Sequence, residues 1–518
     1  MFITFRVDAS QEIGSGHVIR CLTFASELNK LGVTINFITR HHLGNLDKKI
    51  RDSGFEVNSL PSLAKDKSQQ GLEKYGKWLG VSQLVDADET IKLLVNKQCD
   101  WLVVDHYALD NIWEERLRPY AKKIMIIDDL ANRKHNCDLL LDQNYIHDKG
   151  RYDCLLALGT IKFLGPKYAL LRKCFLKNKE INVHNYSINK VFIFFGGSDL
   201  GNMTTMAIKA LSQFKLKHLL VDVVIGSENP NQDALEKEIA KHSNIKLHVQ
   251  VDNISELMRE ADIALGSGGM ITWERISLGL PSIVVTVAEN QVDSIKNLDQ
   301  EGYLTWIGSA NQVNENIIYK TLLSYIKNTD KIIGQRRKCL EFFDGKGAQI
   351  VAKFLTTGPD LETLSIRKAV NLDSLLYWHW ANDKAVRENS LNQKTIELEK
   401  HKIWFEDRLN DPNSILLLIE SDLSPIGQVR FECSNSHCVV NYSLAKQFRR
   451  FNLGVAILKK AIDYLRKDYP FTLIGKIRKE NTGSKKVFER LGFAKIENKK
   501  KNDINYFELQ LIPTKNII

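Results

Sequence analysis

Residues 2–20 read FITFRVDASQEIGSGHVIR. Phe2–Val7 is a mostly apolar strand pattern, Gly14 and Gly16 mark a tight turn, and a helical pattern starts at His17. That helix, Val18–Leu31, should close at Gly32. A strand that passes through a glycine turn into a helix is the opening unit of a doubly wound α/β sheet. The rhythm continues with strands expected at Thr34–Thr39, Trp101–Asp105, Ile124–Asp128 and Leu139–Asp142, and Asp86–Asn96 is among the helices between them. After a polar stretch at 177–189 it restarts with Lys190–Phe195, Leu219–Ile225, Ile245–Val251, Ile263–Leu265 and Ser282–Val287, and it ends in a helical pattern near Phe354. The expectation is two successive Rossmann-like doubly wound domains, 1–185 and 186–356. Their sequences do not visibly repeat.

Residues 356–364, TTGPDLETL, read as a linker. The texture then changes. Strands at Ser414–Glu420, Gly427–Cys433, Val439–Leu444, Thr472–Ile477 and Tyr506–Leu511, with helices from Gly454 and Thr482, describe an α+β domain over 363–513. The lysines 499–501 are expected in a solvated loop. A chain of 518 residues accommodates about three such domains.

The totals narrow the function classes. Net charge is +10 with 26% charged residues, and there is no arginine-rich tract. That charge suits anionic small ligands as well as nucleic acid, and the missing arginine-rich tract places nucleic acid behind nucleotide ligands. The eight cysteines form no C-x-x-C pair and no zinc-spaced cluster, so buried free thiols in a reducing cytosol are expected. No apolar run is long enough to span a membrane, and no secretory leader precedes the first strand, so a cytoplasmic protein without a membrane partner is expected.

His17 stands where the first strand hands over to its helix, at the carboxyl edge where open α/β sheets bind ligands. The backbone N–H groups of Gly14, Ser15 and Gly16 suit an anion there. Arg20 lies one turn on, on the face of His17. A histidine at this edge can take a proton from water near neutral pH, or it can simply cap the helix.

The run IGSGHVIRCLTFASEL (13–28) resembles the start of the pseudaminic acid pathway hydrolases that release UDP from a UDP-2,4-diacetamido-2,4,6-trideoxy-altropyranose. Further segments match that family in order: WLGVSQ (78–83), VDHY (104–107), IDDLA (127–131), LDQN (141–144) and GPKYALLR (165–172). The resemblance covers residues 1 to about 355 and implies the two-Rossmann fold of GT-B glycosyltransferases. It implies His17 as general base, activating water against the anomeric carbon, with no metal. It also places Asp105, His106 and Tyr107 toward the same cleft, though as residues alone they read equally as a packed turn.

Two glycine turns suit the nucleotide. Gly196, Gly197 and Ser198 follow one strand of the second domain. Residues 264–274, ALGSGGMITWE, run from another strand through Gly268 and Gly269 into a helix carrying Thr272 and Glu274. In the related glycosyltransferases a glutamate at this place accepts the ribose hydroxyls, as a carboxylate with two acceptor oxygens can. Asn290 and Gln291 match the family's sugar-facing or phosphate-facing loop.

The third domain resembles the GNAT N-acetyltransferases, on the strand ending at Leu444 and on QFRRFNLGVA (447–456). Aligned on Gly454, the CoA diphosphate loop comprises Arg449, Arg450, Asn452, Leu453, Gly454 and Val455. Asn452 replaces the central glycine and tolerates the same left-handed backbone. NTGSKKVFERLGF (481–493) follows the family's second motif, with Asn481 and Ser484 toward the CoA arm. Phe488 stands where the family has a tyrosine that protonates the leaving thiolate, and phenylalanine has no proton to give. Tyr506 is a substitute on chemistry alone.

Together these resemblances imply acetyl-CoA-dependent acetylation of a UDP-4-amino sugar, followed by UDP removal. The alternatives are a UDP-sugar glycosyltransferase fused to an acetyltransferase and a non-catalytic sugar-nucleotide-binding protein. Oligomeric state, sugar stereochemistry and the final glycan are not written in these motifs.

Overall fold

Apolar residues alternate along the strands and send opposite sets to two faces, and this builds three sheets. The first contains β1 (Phe2–Val7), β2 (Thr34–Arg40), β3 (Glu56–Leu60), β4 (Cys99–Asp105), β5 (Ala121–Ile127), β6 (Leu139–Asp142) and β7 (Ile161–Leu164), in the order β3-β2-β1-β4-β5-β6-β7. The second contains β8 (Lys190–Phe194), β9 (Leu220–Ile225), β10 (Ile245–Val249), β11 (Ile263–Ser267), β12 (Ser282–Thr286) and β13 (Thr305–Ser309), in the order β10-β9-β8-β11-β12-β13. Both sheets thus reverse direction at the first strand of their unit, which is the Rossmann order. All pairs from β3 to β6 are parallel, as are all pairs of the second sheet. The computed structural model describes residues 1–62, 75–176, 187–212, 218–342, 344–421, 424–434, 437–466, 472–501 and 504–512. The polar stretch expected at 177–189 lies outside the described residues over 177–186.

Each sheet is covered on both faces. In the second, Val191 and Ile193 join one core with helix Met203–Ser212, while Phe192 between them joins another with helices Ile254–Glu260 and Met270–Ser277. In the first, Leu102 and Val104 pack with Trp113 and Leu117 on one face. On the other, Phe5 stacks on Phe37 and meets Phe24 of helix Gly16–Lys30 edge-on.

Two crossings tie the sheets together. Ala169, Leu171 and Phe175, which follow β7, lie in a core of the second sheet. In return, helix Gly347–Thr357 packs on the first-sheet side. There Trp101 Nε1 donates to the Leu355 carbonyl at 3.3 Å, and Phe354 meets Phe163 edge-on. Residues 1–157 and 162–356 form one compact unit, and 158–161 with 357–518 form a second.

The second unit has one sheet: β14 (Ser365–Lys368), β15 (Ser414–Glu420), β16 (Pro425–Cys433), β17 (His437–Leu444), β18 (Thr472–Arg478), β19 (Ala494–Lys501) and β20 (Ile504–Leu511). The order is β14-β15-β16-β17-β18-β20-β19, antiparallel except between β17 and β18. Two expectations are corrected here. Lysines 499–501 do not form a loop: they end β19, the edge strand, where lysine discourages further pairing. The cysteines are not all buried free thiols. The β16–β17 register sets Cys433 opposite Cys438, their Cα atoms are 4.0 Å apart, and they form a disulfide, while Cys154 is exposed. No helix among the described residues is long and apolar enough to cross a membrane.

Candidate active sites

The turn after β1 is built by Ser10. Its hydroxyl accepts the N–H of Ile13 at 3.0 Å, its carbonyl accepts that of Gly14 at 2.8 Å, and Gly14 takes a φ of +78° that favours glycine. This delivers His17 into the first turn of helix Gly16–Lys30, with Ser15 and Gly16 exposed beside it. Asp105 ends β4 directly opposite Val7 of β1. Its Oδ1 lies 2.6 Å from His17 Nδ1, and Arg20 Nε donates to its Oδ2 at 2.6 Å. Burial alone would raise the Asp105 carboxyl, but Arg20 and His17 hold it well below the usual range. An ionised carboxylate only accepts, so Nδ1 carries a proton and the lone pair of the neutral imidazole lies on Nε2. The result is a histidine oriented and polarised from behind.

Tyr107 meets His17 edge-on at 4.7 Å between centroids, and Trp78 stacks on Tyr107 at 5.6 Å. Tyr75 completes this aromatic wall, 4.9 Å from Trp78 and 5.2 Å from Tyr107. The Tyr107 hydroxyl donates to Asp129, and Asn290 Nδ2 donates to the same hydroxyl at 3.3 Å. Asn290 comes from the second sheet's side, so that loop reaches the His17 centre. The glycine turns meet there too: a Cβ built on Gly197 would lie 3.9 Å from Ser15 Oγ.

The expected residues therefore divide. Gly14, Ser15, Gly16, His17, Tyr107, Gly197 and Asn290 converge, with Gly196 (φ +107°) and Ser198 flanking Gly197. Asp105 and Arg20 stand behind His17, almost wholly buried. His106 turns inward: its Nδ1 accepts the Ala108 N–H at 3.1 Å, and its Nε2 lies 3.3 Å from Asp8. At the second glycine turn, Gln291 packs over Gly268 and Gly269 and accepts the Val287 N–H at 3.0 Å, bracing the loop. Thr272 is buried beside Arg275, whose Nη2 donates to the Ser267 carbonyl at 2.6 Å. Burial pushes the Arg275 guanidinium down to about 10. Glu274 is buried and accepts from Arg172 Nε at 2.8 Å. The start of helix Met203–Ser212 is closed to an outside anion, because Asp199 accepts the N–H groups of Met203 and Thr204 at 3.0 and 2.8 Å.

In the third sheet, β17 pairs with β18 only from His437 to Val440. Asn441–Leu444 then pair with β16 alone, so backbone groups on their other edge face an open slot. The loop beyond has Arg450 at φ +70° and Asn452 at φ +56° before helix Leu453–Arg466 begins. Successive left-handed and right-handed residues turn N–H groups inward as a nest for an anion. Gly454 keeps this approach close, since a Cβ there would come within 2.9 Å of the Val487 side chain and force it to shift. Val455 is half-buried in the first turn of that helix. Arg449 braces the loop through the Leu444 carbonyl at 3.1 Å and Asp383 at 2.8 Å. Asn481 caps helix Thr482–Arg490 through the Ser484 N–H, and Tyr442 donates its hydroxyl to Ser484 Oγ at 3.2 Å. Phe488 is buried over Gly475, and Tyr506 pairs with Arg478, three positions along β18, so Tyr506 does not stand in Phe488's place.

Sequence reading missed several of these groups. Trp78 and Arg172 lay inside quoted motifs without a role. Nothing in the spacing flagged Arg430, which lies over Trp404 at 5.1 Å, or Arg387, whose guanidinium is pushed down by burial and by the charge of Arg430. Burial is the larger cause, and it pushes Arg430 down as well.

Comparison with known proteins agrees with this division. Residues 191–343 match the family described as glycosyltransferase family 28 C-terminal domain, and residues 363–494 match the acetyltransferase (GNAT) domain. An uncharacterised protein of Methanocaldococcus jannaschii is 25% identical over 98% of this chain and 99% of its own. The UDP-2,4-diacetamido-2,4,6-trideoxy-beta-L-altropyranose hydrolase of Campylobacter jejuni is 26% identical over 58% of this chain and 98% of its own. A spore coat polysaccharide biosynthesis protein of Bacillus subtilis is 28% identical over 31% of this chain and 48% of its own. The chain thus joins a two-sheet α/β unit, within which residues 191–343 match the glycosyltransferase family 28 C-terminal domain, to a unit within which residues 363–494 match the acetyltransferase (GNAT) domain, the combination its motifs resemble.

Proposed function

We propose that the first unit hydrolyses a UDP-linked 2,4-diacetamido-2,4,6-trideoxy hexose and that the GNAT domain acetylates the 4-amino group of its UDP-sugar precursor. The observation that carries the first half is His17 backed by Asp105, with no hydrogen bond to Nε2 among the described residues and an aromatic wall beside the ring. In this reading Nε2 takes a proton from water as the water oxygen bonds to the anomeric carbon. The C1–O bond breaks, its electron pair leaves with UDP, and the configuration inverts. Asp105 stabilises the imidazolium that forms. Gly196 to Ser198, Gly268 and Gly269 would face the diphosphate, and Glu274 the ribose. The wall of Tyr75, Trp78 and Tyr107 suits a sugar bearing methyl and acetamido groups in place of hydroxyls.

The slot beside Asn441–Leu444 and the nest at Arg450 and Asn452 fit the arm and diphosphate of acetyl-CoA, which would supply the acetyl group. Arg387 and Arg430 would meet the anionic half of the acceptor.

A mass-spectrometric time course with the UDP-4-amino sugar tests both halves. With acetyl-CoA, the acetylated UDP-sugar should rise and then fall as UDP and free diacetamido sugar accumulate. His17→Ala should stop UDP release, by about 10²–10⁴-fold, while leaving the acetylated intermediate to build up. Undiminished UDP release from that variant would remove His17 from the mechanism. Release of UDP only on adding an acceptor sugar would make the first unit a glycosyltransferase.

A further inference from the structure

Glu274 and Arg172 come from different parts of the first unit. Glu274 sits in the second turn of helix Met270–Ser277, after the glycine turn. Arg172 belongs to the segment after β7 that crosses to the second sheet, where its neighbour Leu171 and then Phe175 are core residues. Its guanidinium lies over the Phe175 ring at 4.8 Å, which holds its plane. Both Nε and Nη2 reach the same oxygen, Oε1 of Glu274, at 2.8 Å. Among the described residues Oε2 accepts no hydrogen bond. Arg172 keeps 31% of its side chain exposed, against 5% for Glu274, so the pair opens to solvent on the arginine's side.

We propose that Arg172 is a positioning residue of the nucleotide site, holding Glu274 by one oxygen so that the other stays free to accept the ribose hydroxyls of a nucleoside diphosphate. The inference rests on the UDP reading of this site. A carboxylate buried without a partner takes up a proton, and its hydroxyl form then donates where a diol needs acceptance. Burial does push Glu274 upward, and Arg172 opposes that shift. The neighbouring Arg275 cannot replace it, because its guanidinium donates to the Ser267 carbonyl and Thr272.

The test is calorimetric binding of UDP and of 2′,3′-dideoxy-UDP to the full-length chain as wild type, Arg172→Ala and Arg172→Lys, with melting curves to confirm folding. Arg172→Ala should weaken UDP binding about ten- to hundredfold and leave dideoxy-UDP within about twofold. Arg172→Lys should recover part of the loss. Equal weakening of both nucleotides would overturn the proposal in favour of a general charge or structural role. Unchanged or tighter UDP binding would also overturn it, since Arg172 would then merely fill the site. If the wild type binds neither nucleotide, the UDP reading itself falls, a result distinct from both.

Discussion

The most consequential residue-level feature is a carboxylate that touches no solvent. Asp105 accepts from His17 on one oxygen and from Arg20 on both, so it sets both the tautomer and the direction of the imidazole. Asp105→Asn keeps the size but offers an amide that can donate to Nδ1 and leave the proton on Nε2. UDP release should fall by about 10²–10⁴-fold, the scale of losing a positioned base, with UDP affinity unchanged. Single-turnover kinetics beside a UDP titration would separate these. The substitution also removes the charge that balances buried Arg20, so a loss of about 3–5 kcal/mol in denaturant unfolding is expected. His17 was legible in the sequence through its place after a glycine turn and the family resemblance of that run, since by itself it read equally as a helix cap. Asp105 was legible only as part of a motif expected to face the cleft, and its true position behind the imidazole depends on β4 lying beside β1.

At the scale of elements, both candidate sites are breaks in regular structure. In the third sheet, β17 and β18 separate after Val440, and the loop that follows turns through two left-handed residues. Asn452 carries one of them at φ +56°, where asparagine is tolerated and a β-branched residue is strained. Asn452→Gly should keep acetyl-CoA affinity within about twofold, and Asn452→Val should weaken it about tenfold or more, as a ligand titration would read. The position was visible in the motif, since asparagine is among the few residues that replace a left-handed glycine. The slot itself was not, because register between residues 35 positions apart, such as His437 and Thr472, leaves no local trace. Strand periodicity exposed the central strands and missed β3, β7, β13, β14 and β19. Several of these are edge or short strands, with fewer buried positions to mark a pattern. The lysines of β19 show the same limit, since charge on an edge strand looks like charge in a loop.

At the scale of the whole first unit, stability and site geometry share one crossing. Helix Gly347–Thr357 returns to the first sheet and meets the segment that carries Arg172. A Cβ on Gly347 would lie 2.4 Å from the Ala169 carbonyl oxygen, and backbone cannot yield there as a flexible side chain would. Gly347→Ala should therefore cost about 1–3 kcal/mol in denaturant unfolding, as overpacking does. It should also weaken UDP binding, although Gly347 is far from the ligand along the chain. Unfolding curves and a UDP titration on the same preparation check both. A change in stability without one in affinity would show that the crossing does not transmit to Arg172.

The sequence by itself determined the succession of two doubly wound halves and an acetyltransferase-like domain, the histidine at the first turn, and both glycine-rich loops. These are local: periodicity, turn residues and motif spacing act within one or two elements. Only the tertiary structure decided which groups stand together, as Asn290 reaches Tyr107, Asp105 stands behind His17 and Arg172 pairs with Glu274. It also set Cys433 against Cys438 and buried His106 against Asp8. Each of these depends on strand order, register or a crossing between sheets, and those are fixed when distant apolar faces find a common core.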